Sequence, residues 1–131
     1  MGKSASRYGQ LLPASGPYAI VSFVDQDGVD TGFSATGSVT GDRVTVLVTG
    51  EVDMSTADSM FQAATRAEAR AATLDLRAVT FFDSAAIHAV IRLAERYPGA
   101  LEVIPSPQVR RVLDISGLGG QPWLRPERTD G

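Results

Sequence analysis

The chain has 131 residues, 44% hydrophobic and 21% charged, with a net charge of −3 at neutral pH. That length suits one domain with its own core. The absence of cysteine excludes a disulfide framework, thiolate chemistry and cysteine-based metal sites, and the absence of asparagine excludes N-glycosylation.

Residues 1–32 read as an N-terminal extension. Met1-Gly2-Lys3-Ser4-Ala5-Ser6 fits a loose N-myristoylation pattern short enough to arise by chance; the competing reading is an unstructured terminus. The β-prone run 18–24 is a candidate extra strand, added to a sheet edge or laid over an open sheet face. The acidic run 25–30 resembles the start of a calcium loop, but it lacks the terminal glutamate that such a loop needs. A solvated turn accounts for it.

The regular pattern begins near Phe33. Residues 33–39 predict a strand, 40–43 a turn and 44–49 a β-branched strand, joined as a hairpin. Gly50-Glu51-Val52-Asp53 leaves that strand. Ser55 and Asp58 then have capping-box spacing before a helix that carries Met60, Phe61, Ala64, Ala67 and Ala71. Residues 73–76 predict the next strand. Thr80-Phe81-Phe82-Asp83-Ser84 leads into a second helix whose apolar stripe is Ile87, Val90, Ile91 and Ala94, with His88 and Arg92 on its polar flank. Pro98-Gly99 ends it. Residues 101–104 form another strand. Ser106-Pro107 opens a helix that buries Val109, Val112 and Leu113 and stops at Gly117. Residues 121–124 suggest a last edge strand, and 125–131 a polar tail.

The order β-β-α-β-α-β-α-β predicts a single α/β domain over 33–124, with a mixed, mostly parallel sheet of four to five strands. The alternation of Val44, Val46 and Val48 with Thr45 and Thr49 places helices mainly on one face and leaves the other partly wet.

Ser84 sits where the second helix begins, which opens two readings. Its hydroxyl can cap the helix, or it can stand exposed at the positive helix end, where phosphate is tolerated. Asp83, Ser84 and His88 also invite comparison with a hydrolase triad. However, no Gly-x-Ser-x-Gly elbow is present and nothing supplies an oxyanion hole, so no catalytic residue is expected. One histidine without cysteine gives no zinc site, and no cofactor is expected.

In this order, three motifs make the chain resemble a STAS domain of the anti-sigma factor antagonist family. They are Thr49-Gly50-Glu51-Val52-Asp53, Val79-Thr80-Phe81-Phe82-Asp83-Ser84, and Ser106-Pro107-Gln108-Val109-Arg110-Arg111-Val112-Leu113 followed by Ser116-Gly117-Leu118. The resemblance implies a non-enzymatic partner switch. In that family the domain binds an anti-sigma factor with a histidine-kinase-like ATPase fold, which is also a serine kinase, and so frees a sigma factor. Phosphorylation at the position matched by Ser84 ends the complex, and a serine phosphatase resets it. The implied partner surface is Glu51, Asp53, Asp83, Ser84, Ala85, Ala86 and His88. The family pattern reads Asp-Ser-Ser-Gly where this chain reads Asp83-Ser84-Ala85-Ala86, which places methyl groups where a partner approaches. The alternative is a STAS scaffold subunit of a transporter or stress-signalling assembly that works without a phosphate cycle.

The basic residues are scattered and no apolar run is long enough to span a bilayer, so neither nucleic acid nor membrane is expected as a partner. With no signal-peptide pattern at the start, a cytoplasmic protein is the expectation, and the resemblance implies a bacterial regulator.

Overall fold

The computed structural model describes residues 32–126. The myristoylation-like start, the candidate strand 18–24, the acidic turn 25–30 and the tail from 127 lie outside the described residues.

β1 (Phe33–Thr40) and β2 (Arg43–Val52) form the expected hairpin, with Thr40 opposite Arg43 across Gly41-Asp42. Gly41 supplies a φ of 61°, which a tight hairpin turn requires. β2 then runs parallel to β3 (Ala71–Phe82), and β3 parallel to β4 (Leu101–Pro105), giving the sheet order β1-β2-β3-β4. Three helices connect or follow the parallel strands: α1 (Ala57–Thr65), α2 (Ser84–Arg96) and α3 (Pro107–Ile115). At the far edge Leu124 makes a single parallel bridge to Val103 where the sequence suggested a strand over 121–124. Trp123 O accepts from Val103 N at 2.8 Å and Val103 O from Arg125 N at 2.9 Å, so the pairing lasts one residue.

The covered face of the sheet carries Val44, Val46 and Val48 of β2, Ala72, Leu74 and Leu76 of β3, and Leu101 and Val103 of β4, all buried. The other face is mostly polar, with Leu47 and Ile104 as apolar exceptions on either side of Asp75. Ser34 Oγ and Thr49 Oγ1 lie 2.7 Å apart, and Arg43 Nη1 donates to Thr73 Oγ1 at 2.9 Å. Arg77 donates to both Asp75 oxygens, Nε to Oδ1 at 3.0 Å and Nη2 to Oδ2 at 2.8 Å. That guanidinium holds the Asp75 carboxyl below the usual carboxylate range. A depressed carboxyl binds more protons unfolded than folded, so its contribution is present above the unfolded value near 4 and lost as pH falls below it. Asp75→Asn is therefore expected to lower the melting temperature at pH 7 and to converge with the wild type by about pH 2–3. Thermal melts of both proteins across that range check this.

Three elements depart from the sequence-based expectation. α1 stops at Thr65, so Ala67 lies beyond it and Ala71 opens β3. The backbone N–H groups of Arg70 and Ala71 both donate to Asp42 O, at 2.8 and 3.1 Å, which pulls the chain to the β1–β2 turn and ends the helix. The strand expected over 73–76 extends to Ala71–Phe82, because β2 pairs with it beyond the reach of β4. The buried face of α2 is Ala86, Ala89, Val90 and Leu93, continued by Tyr97, whereas Ile87, Ile91 and Ala94 are half-buried on its flank. Tyr97 fixes that rotation: its hydroxyl donates to Ala64 O at 2.6 Å, and the small alanines let the helix approach.

α3 begins as expected. Ser106 Oγ accepts from Val109 N at 3.1 Å and donates to Val79 O at 2.8 Å, so one hydroxyl caps the helix and anchors it to β3. Val109 and Leu113 are buried, and Val112 is half-buried.

Candidate functional site

The parallel ends of β2 and β3 form the site. Their pairing contains two irregularities, between Leu47 and Thr49 and between Gly50 and Glu51, each of which places an extra residue on β3. The second brings Glu51 opposite Phe81 and Val52 opposite Phe82. It turns Phe82 into the core, 4% exposed, and leaves Phe81 48% exposed. Thr80 Oγ1 lies 3.4 Å from Gly50 O, and Asp83 N donates to Val52 O at 3.3 Å. The two strand exits are thus tied together, and the loops that follow emerge side by side.

After β2, Asp53 organises the turn into α1. Its Oδ1 accepts from Ser55 N at 2.9 Å and Ser55 Oγ at 2.8 Å, with Thr56 Oγ1 at 3.2 Å. These bonds, the Ser55 hydroxyl first, hold the Asp53 carboxyl below the usual carboxylate range. Thr56, not Ser55, is the residue that precedes the helix, and its hydroxyl accepts from Asp53 N at 2.9 Å. The Ser55–Asp58 capping box is therefore replaced by an aspartate-centred turn. Glu51 is exposed, and among the described residues its side chain makes no hydrogen bond or ion pair.

After β3, Asp83 is the N-cap of α2: its Oδ1 accepts from Ala86 N at 3.1 Å. Ser84 is the first residue of the helix and is exposed. The capping role that the sequence left open between structure and switch thus falls to Asp83. Among the described residues the Ser84 hydroxyl has no hydrogen-bond partner. Asp83→Ala removes the acceptor for Ala86 N and is expected to cost about 1 kcal/mol of stability, read as a lower urea midpoint at unchanged slope.

The structure brings Glu51, Asp53, Asp83 and Ser84 to one corner. Ala86 does not belong to that surface: it is 0% exposed and packs in the core, while Ala85 is half-buried. His88 lies one helical turn beyond Ser84, exposed, ahead of Arg92. Arg92 stacks over the Phe61 ring at 4.0 Å. Two apolar residues complete the corner that sequence reading did not single out. Met54, at the tip of the Asp53 turn, is 81% exposed, and Phe81 stands beside Glu51. For Phe81 a signal was present: two consecutive phenylalanines at a strand end cannot both face one side. An exposed hydroxyl ringed by acidic and apolar side chains is suited to protein contact that an added phosphate would disrupt.

Among the described residues no His/Asp/Glu cluster is arranged to hold a metal ion, and no helix is long and apolar enough to cross a membrane.

A mixed sheet of this order, with helices after each parallel strand and a helix-opening serine at the β3 exit, defines a STAS-type module. The family model for the STAS domain described as Mlab matches residues 35–126, and the chain belongs to that family. Among solved structures, an anti-sigma factor antagonist from Mycobacterium paratuberculosis superposes with a TM-score of 0.63 at 24% identity, covering 80% of this chain and 92% of that one. The anti-sigma factor antagonist SpoIIAA in its unphosphorylated form gives 0.55 at 23% identity, covering 75% and 90%. At these identities the likeness is one of fold. No curated protein matches the sequence.

Proposed function

We propose that this protein is an anti-sigma factor antagonist that works by partner switching at Ser84. The observation that carries the reading is the position of Ser84: first residue of α2, exposed, and relieved of capping by Asp83. Around it, Glu51, Met54 and Phe81 supply an exposed acidic and apolar surface for a protein partner. The solved proteins that share its fold are described as anti-sigma factor antagonists.

In this reading the unmodified corner binds an anti-sigma factor with a histidine-kinase-like ATPase fold. Complementary packing over Met54 and Phe81 contributes most of the affinity, because exposed aromatic and methionine side chains dominate such contacts. The bound kinase transfers the γ-phosphoryl group of ATP to Ser84 Oγ. The P–O bond to ADP breaks, a new P–O bond forms to the serine oxygen, and the hydroxyl proton leaves. The phosphate brings about −1.5 to −2 charges next to Asp83 and Glu51. The helix stays intact, since negative charge at its N-terminus is favourable. The contact surface is lost instead. A serine phosphatase restores it by hydrolysing the phosphoester.

Size-exclusion chromatography with candidate anti-sigma ATPases from the same genome tests the reading. A stable complex with wild type and Ser84→Ala, absent with Ser84→Asp, is expected. A protein that binds none of them, but is retained by transporter subunits, would be a scaffold instead.

A further inference from the structure

The arginines that look scattered in sequence converge in space. Arg77 from β3, Arg110 and Arg111 from α3, and Arg125 beyond α3 line one open groove of about 570 Å3, together with Ile104 and Ile115. Two of them are neutralised: Arg77 pairs with Asp75 at 2.8 Å, and Arg125 Nε donates to Glu102 Oε2 at 2.8 Å. Arg110 donates to the Arg125 carbonyl and has no carboxylate partner among the described residues; Arg111, exposed, has none either. Among the described residues Asp114 is the one carboxylate in the lining. Ile115, one turn along α3 from Arg111, is 79% exposed.

We propose that this groove docks an acidic peptide segment of a protein partner. Its carboxylates would engage Arg110 and Arg111, and an apolar side chain would rest on Ile104 and Ile115. Guanidinium forks match carboxylates in a bidentate geometry. An exposed isoleucine beside two uncompensated guanidiniums offers an anchor and a charge determinant together. The occupant is a short acidic segment and not an extended polyanion, because the chain carries a net −3 and repels nucleic acid and anionic membranes outside this groove. A smaller adjoining groove of about 380 Å3, lined by Phe81, Pro107 and Arg111, shares Arg111 with it, so this surface continues toward Phe81. The proposal holds whether or not Ser84 is phosphorylated.

The test is a two-dimensional amide NMR titration of the full chain with a short synthetic peptide of glutamate and leucine. A lysine–leucine peptide and phosphatidylglycerol vesicles serve as comparisons. The expected result is shifts confined to Arg77, Arg110, Arg111, Ile115 and their neighbours, with affinity falling about tenfold in the Arg110→Gln/Arg111→Gln double variant. Ile115→Ser should weaken binding separately, with a melting temperature close to wild type for both variants. Shifts spread over the molecule or absent, equal binding of the lysine peptide, or binding to the vesicles alone would overturn the proposal. So would binding that emerges only once residues 127–131 are deleted, which would make the chain's own tail the occupant.

Discussion

If the proposed switch operates, adding charge at Ser84 is expected to weaken binding to an anti-sigma partner several-hundredfold without unfolding the domain. The magnitude follows from placing about two negative charges in a closely packed contact that already presents Asp83 and Glu51; a loss of about 3–4 kcal/mol corresponds to that factor. The fold should hold because Ser84 is exposed and heads α2, where the helix dipole favours negative charge. Three variants separate the contributions when dissociation constants are measured by calorimetry. Ser84→Asp, with a single charge, should lose at least tenfold, Ser84→Ala should stay within about threefold of wild type, and phosphoserine should lose the most. Melting temperatures should remain close to wild type throughout. A Ser84→Asp variant that binds as tightly as wild type would place the partner surface elsewhere.

The largest stability effect is expected at Gly50. Its φ is +90°, and a Cβ built there would lie 1.3 Å from Gly32 O and 2.4 Å from Gly32 C. Those are backbone atoms, and the Gly32 carbonyl is held by Glu51 N at 3.0 Å. No rotamer change relieves the clash, so the start of β1 must move or Glu51 N must lose its acceptor. Strain at an unfavourable φ and forced overpacking each cost about 1–3 kcal/mol. Gly50→Ala should therefore lose on the order of 3 kcal/mol or more, a drop in melting temperature of roughly 10 °C. Gly41→Ala is the control. It also has positive φ, at +61°, but nothing lies within 4 Å of the added methyl, so it should lose only about 1–2 kcal/mol. Because Gly50 adjoins the irregularity that sets Glu51 opposite Phe81, its substitution should also weaken partner binding more than Gly41→Ala does. Equal melting temperatures for the two variants would refute the close approach to Gly32.

What could be read from the sequence was what local chemistry decides. The Gly41-Asp42 hairpin, the Ser106-Pro107 helix start and the alternating valines of β2 carry their signals within a few residues, and each is present in the structure. What escaped depends on distant partners. α1 ends because Asp42 O captures the backbone of Arg70 and Ala71, a contact across 28 residues or more. The rotation of α2 is set by Tyr97 reaching Ala64, 33 residues away. Helical spacing put Ile87 and Ile91 on the buried stripe, whereas the packing turns the small Ala86 and Ala89 inward and brings the helix close. The same close packing takes Ala86 off the exposed corner.

The candidate site was legible at its acidic residues and at Ser84, because a carboxylate and a hydroxyl before a helix are a local pattern. The division of labour between Asp83 and Ser84 was not, since either oxygen could have capped α2. Met54 and Phe81 were hidden for different reasons. For Phe81, alternation puts the two phenylalanines on opposite faces, but only the extra residue that β3 carries opposite Gly50 and Glu51 decides which of them is outside. Met54 is exposed because it stands in the turn that Asp53 organises after β2. The arginine groove is a tertiary feature throughout, drawing Arg77 together with residues more than thirty positions later.

Intact-mass spectrometry after incubation with ATP and candidate anti-sigma ATPases from the same genome, on wild type and Ser84→Ala, tests the central claim most directly. A gain of one phosphate in wild type, its absence in Ser84→Ala and release of the modified protein from the kinase are the predicted results. A stable complex in which the protein stays unmodified over many turnover times, or a phosphate that persists in Ser84→Ala, would contradict the switch at Ser84.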